Sequence, residues 1–211
     1  NDNFVVIPEG LFSGCGGLKQ VTLSDTCKEI SQNAFRACSS LTRFNLPANL
    51  EIIGDYAFAA CDSVKEFVVS SSVRKIGTGA FSDCNSLTSI ELPYLGNSLD
   101  DRNGFVCIFS ANGDTSKIPL SLKKVVLNGG SVYDEAFKGA SSVEMIVINA
   151  QISSIGARAF SNCTSLLNLT TSSDITFIGD GAFEYCKSLQ YYAVPDSVQK
   201  IGRGAFVGCL S

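Results

Sequence analysis

Apolar positions along this chain return on one long, fixed period rather than on the short period of a single helix or strand. Phe12, Phe35, Phe58, Phe81, Phe109, Phe137, Phe160, Phe183 and Phe206 follow one another at intervals of 23 residues, except for two intervals of 28 on either side of Phe109. Nine of the 14 phenylalanines therefore share one repeat position. That identifies a repeat architecture before any single element is considered. One unit opens with Ala80-Phe81, continues through Cys84 and Ser86-Leu87, and runs past Ile90 to Leu92-Pro93. Ser72-Val73 and Ile76-Gly77 of the preceding unit supply the other half.

Within a unit, Ala34, Cys38 and Leu41 stand at i, i+4 and i+7, which predicts a short helical turn with one buried face. Apolar and polar residues alternate over 44–46 and 90–92, which predicts a half-buried strand. Pro47 or Pro93 then ends it, because proline cannot donate to a continuing ladder. Val73 with Ile76, and Val198 with Ile201, predict a second short extended stretch on the way back. A 23-residue coil cannot bury its own apolar set, so neighbours stack around one continuous core. The expected fold is a repeat solenoid of about nine coils, 23–28 residues each, with a gently curved parallel sheet along one side. A single array fills residues 1–211, with longer, irregular units over about 93–136. Ile7 precedes Phe12 by the same five residues that separate Ile30 from Phe35, and Ala205-Phe206 with Cys209 opens a unit that has no strand before Ser211. Both ends are thus expected to fall within a repeat of a longer array.

Composition removes several classes of function. The formal net charge is −4, from 16 basic and 20 acidic residues, whereas nucleic-acid surfaces rest on clustered Lys and Arg. There is no histidine, which excludes Ser-His-Asp and Cys-His pairs, imidazole zinc ligands and histidine general bases. No stretch approaches the ~18 consecutive apolar residues of a membrane span. Asp100 and Asp101 have no companion acid at a fixed geometry, and residues 99–104 lack the alternating ligand spacing of a calcium loop. The expectation is a non-catalytic chain with no cofactor and no metal.

Seven of the nine cysteines (Cys15, Cys38, Cys61, Cys84, Cys163, Cys186 and Cys209) stand three residues after a repeat phenylalanine. Ala140 fills the same slot in another unit, so the slot is a small buried one. Equivalent positions on stacked strands lie ~4.8 Å apart with parallel Cα–Cβ vectors, while a disulfide draws Cβ atoms to ~3.8 Å. Buried free thiols are the expectation, with Cys27 and Cys107, which lie off the ladder, as the reactive ones.

The recurring set exemplified by Ile178-Gly179, Ala182-Phe183, Cys186 and Leu189 resembles the signature of the BspA-like subgroup of leucine-rich repeats, over nearly the whole chain. The resemblance implies a leucine-rich-repeat-like solenoid, α/β to mostly β. It also implies an extracellular or cell-surface recognition protein, in a family associated with adhesion to host or matrix proteins. In such repeats the strand residues between the buried ones form an open face toward a protein partner. The polar start of that face is Gln20, Thr22, Arg43 and Asn45, and Ser89 and Glu91 follow further on. The candidate partner-binding residues are Glu66, Val68, Lys124, Val126, Met145, Val147, Asn168 and Tyr191. Asn168-Leu169-Thr170 also matches an N-glycosylation sequon. A second candidate is the turn-rich insertion between Pro93 and Pro119, expected to protrude as loops carrying Tyr94, Asp100, Asp101, Arg102 and Asn103. A structural spacer in a larger surface protein and an intracellular interaction scaffold are the alternatives. The chain is expected to be monomeric or to associate weakly end to end.

Overall fold

The computed structural model describes residues 5–96 and 104–210. Successive units stack as rungs, and all strand pairing is parallel. Along one side, Glu66–Val68, Ser89–Leu92, Lys124–Leu127, Met145–Ile148 and Asn168–Thr170 form a five-stranded sheet. Gln20–Val21 and Arg43–Phe44 form a separate pair before it. Along the other side run Val6–Ile7, Glu29–Ile30, Ile52–Ile53 and Lys75–Ile76, and later Ser154–Ile155, Phe177–Ile178 and Lys200–Ile201. In each pair the partner stands at the same place in the neighbouring repeat, as Ile30 faces Ile53 and Ile53 faces Ile76. Register follows the sequence period because every strand must keep its apolar residue on the inner face.

The predicted helical turn is absent. Residues 32–37 are consecutive turns, and the only helices among the described residues are the 3-10 turns Phe105–Ile108 and Thr115–Lys117. Two left-handed residues flank the repeat phenylalanine, such as Asn33 (φ 56°) and Ala37 (φ 59°) around Phe35. An α-helix cannot pass through that conformation. The phenylalanine N–H is satisfied across the stack instead, as Phe35 N donates to Ala57 O at 2.8 Å and Phe160 N to Ala182 O at 2.8 Å. The i, i+4 spacing of Ala34 and Cys38 thus reflects two tight turns folded over a common core.

Phenylalanine rings stack along the axis. Phe12, Phe35, Phe58 and Phe81 form one column and Phe137, Phe160, Phe183 and Phe206 another, with centroids 4.9–6.0 Å apart and planes within 12°. Between the columns Phe105 lies 5.4 Å from Phe137 with its ring tilted by 42°, while Phe109 packs edge-on against Phe105. The ladder thiols donate downward to the phenylalanine carbonyl of the preceding rung, for example Cys61 Sγ to Phe35 O at 3.2 Å and Cys186 Sγ to Phe160 O at 3.1 Å. All nine cysteines are free. Rung spacing also fixes the Ile-Gly pair: a Cβ at Gly77 would stand 2.2 Å from Asp55 N, and one at Gly156 2.3 Å from Asp134 N. Just after that glycine, an aspartate on the rung below accepts a backbone N–H, as Asp134 Oδ1 does from Ala157 at 2.7 Å.

Candidate functional site

The five-stranded sheet turns alternate residues outward, which follows from the period of two in a strand. Its first outward column reads Glu66, Ser89, Lys124, Met145 and Asn168, and its second reads Val68, Glu91, Val126, Val147 and Thr170. Val126 and Val147 are directly paired, half-buried neighbours, and Met145 lies two residues from Val147 on the same strand, 39% exposed. Lys124 pairs with Met145, and Asn168 stands on its other side. Five of the eight predicted face residues thus form one patch: Lys124, Val126, Met145, Val147 and Asn168. Val68 (60% exposed) is separated from Val126 by Glu91, and Glu66 is separated from Lys124 by Ser89.

Tyr191 is 77% exposed, but its segment is not a strand, and among the described residues no backbone hydrogen bond ties residues 189–194 to Asn168–Thr170. The face also breaks near its start. Among the described residues no backbone hydrogen bond joins Arg43–Phe44 to Glu66–Val68. A groove lined by Gln20, Asp25, Arg43, Asn45, Lys65 and Glu66 lies over that break.

Polar groups frame the patch. Lys123 pairs with Glu144 at 3.1 Å. At the far ends of the strands a short amide chain crosses three rungs: Asn149 Nδ2 donates to Asn128 Oδ1 at 2.9 Å, and Asn128 Nδ2 donates to the Glu91 carboxylate. Leu167, 41% exposed one residue before Asn168, extends the apolar surface. The repeat pattern gave no reason to choose it, since the equivalent positions hold Lys65, Lys123 and Glu144.

The insertion differs from its prediction. Tyr94 does not protrude; its side chain is 2% exposed and its hydroxyl is buried without a hydrogen-bond partner. Burial pushes its phenol well above the usual range. The chain after Leu92 turns inward here, carrying Tyr94 and Leu95 into the core. Asp100, Asp101, Arg102 and Asn103 lie outside the described residues. The thiol prediction is corrected too, because Cys27 and Cys107 are both buried. Cys27 donates to Glu29 O at 3.4 Å, and desolvation raises its pKa. The exposed thiol is Cys15, on the first rung. Among the described residues no three Cys, Asp or Glu side chains converge as a metal-binding group, and no helix is long and apolar enough to cross a membrane.

None of the curated proteins matches the chain. Among solved structures it is similar to a leucine-rich repeat protein of Treponema pallidum, with 27% identity over 77% of this chain and a TM-score of 0.46. The chain spans 61% of that protein's length. It is also similar to a leucine-rich repeat protein from Bacteroides ovatus, with 20% identity over 99% of this chain and 75% of that one, and a TM-score of 0.41. A third is a leucine-rich cell surface protein from Faecalibacterium prausnitzii, with 22% identity over 97% of this chain and 68% of that one, and a TM-score of 0.38. The model of the BspA-type leucine-rich repeat region matches residues 1–107 and 120–211 in six copies. With its Ile-Gly, Ala-Phe and thiol positions placed in a stack of parallel rungs, the chain belongs to the BspA-type leucine-rich repeat family.

Proposed function

We propose that this chain is a non-catalytic recognition domain, displayed outside the cell, that binds a protein partner through the open face of its five-stranded sheet. The observation that carries the reading is the patch formed by exposed Met145 with half-buried Val126 and Val147, which the register places side by side on the outer face of the sheet. Large exposed apolar side chains normally occur singly, and a contiguous set framed by charges marks a contact surface. Lys124 and the Lys123–Glu144 pair give the rim a mixed charge, which favours a protein surface over a polyanion. Placement outside the cell rests on what membership of the family implies.

The test is binding to a panel of immobilised matrix and host-surface proteins, measured for the wild type and for M145D/V147D. Both side chains point outward, so the double variant is expected to melt like the wild type while losing at least tenfold in affinity for any partner that uses the face. An intact variant that binds as well as the wild type removes the patch from the interface. A variant that fails to fold means that the inner and outer columns are reversed. Absence of any binder in the panel would favour the spacer reading.

A further inference from the structure

We propose that the groove over the break between Arg43–Phe44 and Glu66–Val68 is a binding site for a neutral saccharide. Five steps along the face share one backbone bond. Thr42 N donates to Lys19 O (3.0 Å) and Thr88 N to Lys65 O (2.8 Å), and Lys123 N, Glu144 N and Leu167 N donate to Thr88 O, Lys123 O and Glu144 O at 2.9 Å. Between Thr42 and Lys65 the bond is not made, so among the described residues the Lys65 N–H and the Thr42 carbonyl have no backbone partner. Both residues line the groove.

The break has its cause in the core. Phe44 and Phe67 are the inner residues on either side of it, whereas aliphatic Ile90, Val125, Ile146 and Leu169 hold that place on the rungs that follow. The Phe44 ring stands edge-on between Phe35 (4.9 Å) and Phe58 (4.8 Å). Phe67 lies tilted between Phe58 (5.0 Å) and Phe81 (4.7 Å). Two large rings in succession hold the face strands apart. On the opposite side the same rungs stay paired, Ile30 with Ile53 and Ile53 with Ile76, so the gap is confined to one wall of the stack.

What the groove presents suits hydroxyl groups. Asp25 and Glu66 stand with Arg43 and Lys65, so formal charge cancels, and among the described residues none of the four is in an ion pair. Gln20 and Asn45 add exposed amides. The Ala48 N–H, 2.9 Å from Asp25 Oδ1, orients that carboxylate. Half-buried Val21, Leu23 and Leu46 supply apolar lining. A pyranose has the matching make-up, apolar C–H faces within a rim of hydroxyls, each of which both donates and accepts. Lys65 N and Thr42 O would bond each other in a regular step, so one hydroxyl can accept from the first while donating to the second. A peptide carries its donor and its acceptor on different atoms, and an anion would meet Asp25 and Glu66. The volume is about 760 Å³, within the ~300–1,000 Å³ of small-ligand sites.

An array of immobilised neutral, sulfated and sialylated oligosaccharides, probed with the whole 211-residue chain, tests this. Binding is expected to neutral members and to be displaced by the same saccharide free in solution. Q20A/N45A, altered at exposed side chains, is expected to melt like the wild type and to lose about tenfold or more in affinity, since each amide contributes a hydrogen bond. In amide exchange followed by NMR, the bound saccharide is expected to slow Lys65 and to leave Thr88, already bonded to Lys65 O, unchanged. Should Q20A/N45A melt below the wild type, exchange at Lys65 in the wild type decides. An array without a neutral ligand overturns the proposal, as does a preference for sulfated or sialylated members. So do a folded Q20A/N45A that binds as the wild type does, and a Lys65 amide that exchanges equally with and without saccharide. These outcomes are separate from the test of Met145 and Val147, which line no part of the groove.

Discussion

Phe160→Ala tests whether the phenylalanine column, rather than the strands, carries the stability of the array. Phe160 is fully buried and lies between Phe137 at 5.3 Å and Phe183 at 5.2 Å, with interplanar angles of 9° and 10°. Truncating a buried phenylalanine costs roughly 3–5 kcal/mol, from lost transfer energy and from the cavity left behind. Two stacked ring contacts are lost as well, each worth ~0.5–1.5 kcal/mol beyond area burial. The backbone of this rung is held from both sides, by Phe160 N to Ala182 O and Phe137 N to Ala159 O, so little collapse into the cavity is available. The expectation lies at the upper end, about 4–5 kcal/mol. Phe12→Ala, half-buried with one stacked neighbour, should cost about half of that. Urea unfolding followed by circular dichroism reads both, with hydrogen exchange on Ala159 and Ala182 to reveal local opening, since long repeats do not always unfold as one unit. A loss below about 1.5 kcal/mol at Phe160, or an equal loss at Phe12, would refute the idea that the column is the core.

Other outcomes follow from the thiols and from pH. Thiol titration of the unfolded chain should find nine free groups, and in the native chain Cys15 should react far ahead of Cys61 and Cys163, whose burial raises their pKa. Simultaneous reaction of all of them would contradict the buried ladder. Cys84 and Cys186 are pushed up by desolvation to about 12, so the native chain keeps protons that the unfolded chain releases. Their contribution to stability is complete below the unfolded thiol pKa of about 8.5 and is lost as pH rises from there toward 12. Urea midpoints should therefore fall between pH 8 and pH 10, and fall less steeply in C84A/C186A.

What the sequence disclosed depended on whether a residue had equivalents. Phe160, Cys163 and Gly156 are each one of a series, and a residue repeated at fixed spacing must meet the same neighbours in every rung. Outward residues such as Met145 and Val147 were legible for the same reason. Tyr94 was not, because the unit that holds it has no regular counterpart and its turn-forming neighbours read equally well as a protruding loop. Cys27 looked reactive only because it lies off the ladder, yet it is packed in the core cluster with Ile7 and Ile30. The helical turn failed for a different reason. Spacing at i, i+4 records which residues share a face, while the left-handed Asn33 and Ala37 decide how the backbone gets there. Asn33 tolerates that conformation, and glycine holds it at the equivalent Gly10, Gly79, Gly181 and Gly204, but Ala37 does not announce it.

The hydrogen bonds that tie Phe12, Phe35, Phe58, Phe137, Phe160 and Phe183 to an alanine of the following rung join residues 22 apart, and the ladder thiols from Cys38 onward reach back 26, so the stack behaves as a counted object. Excising one whole period between two regular rungs returns every donor to an equivalent acceptor. Excising a number that is not a whole multiple of the period sets donors and core residues against positions that are not their equivalents. Length in such a chain is therefore inherited in whole steps. Unequal crossing-over between its repeats would lengthen or shorten the reach of the molecule without asking the core to be invented again.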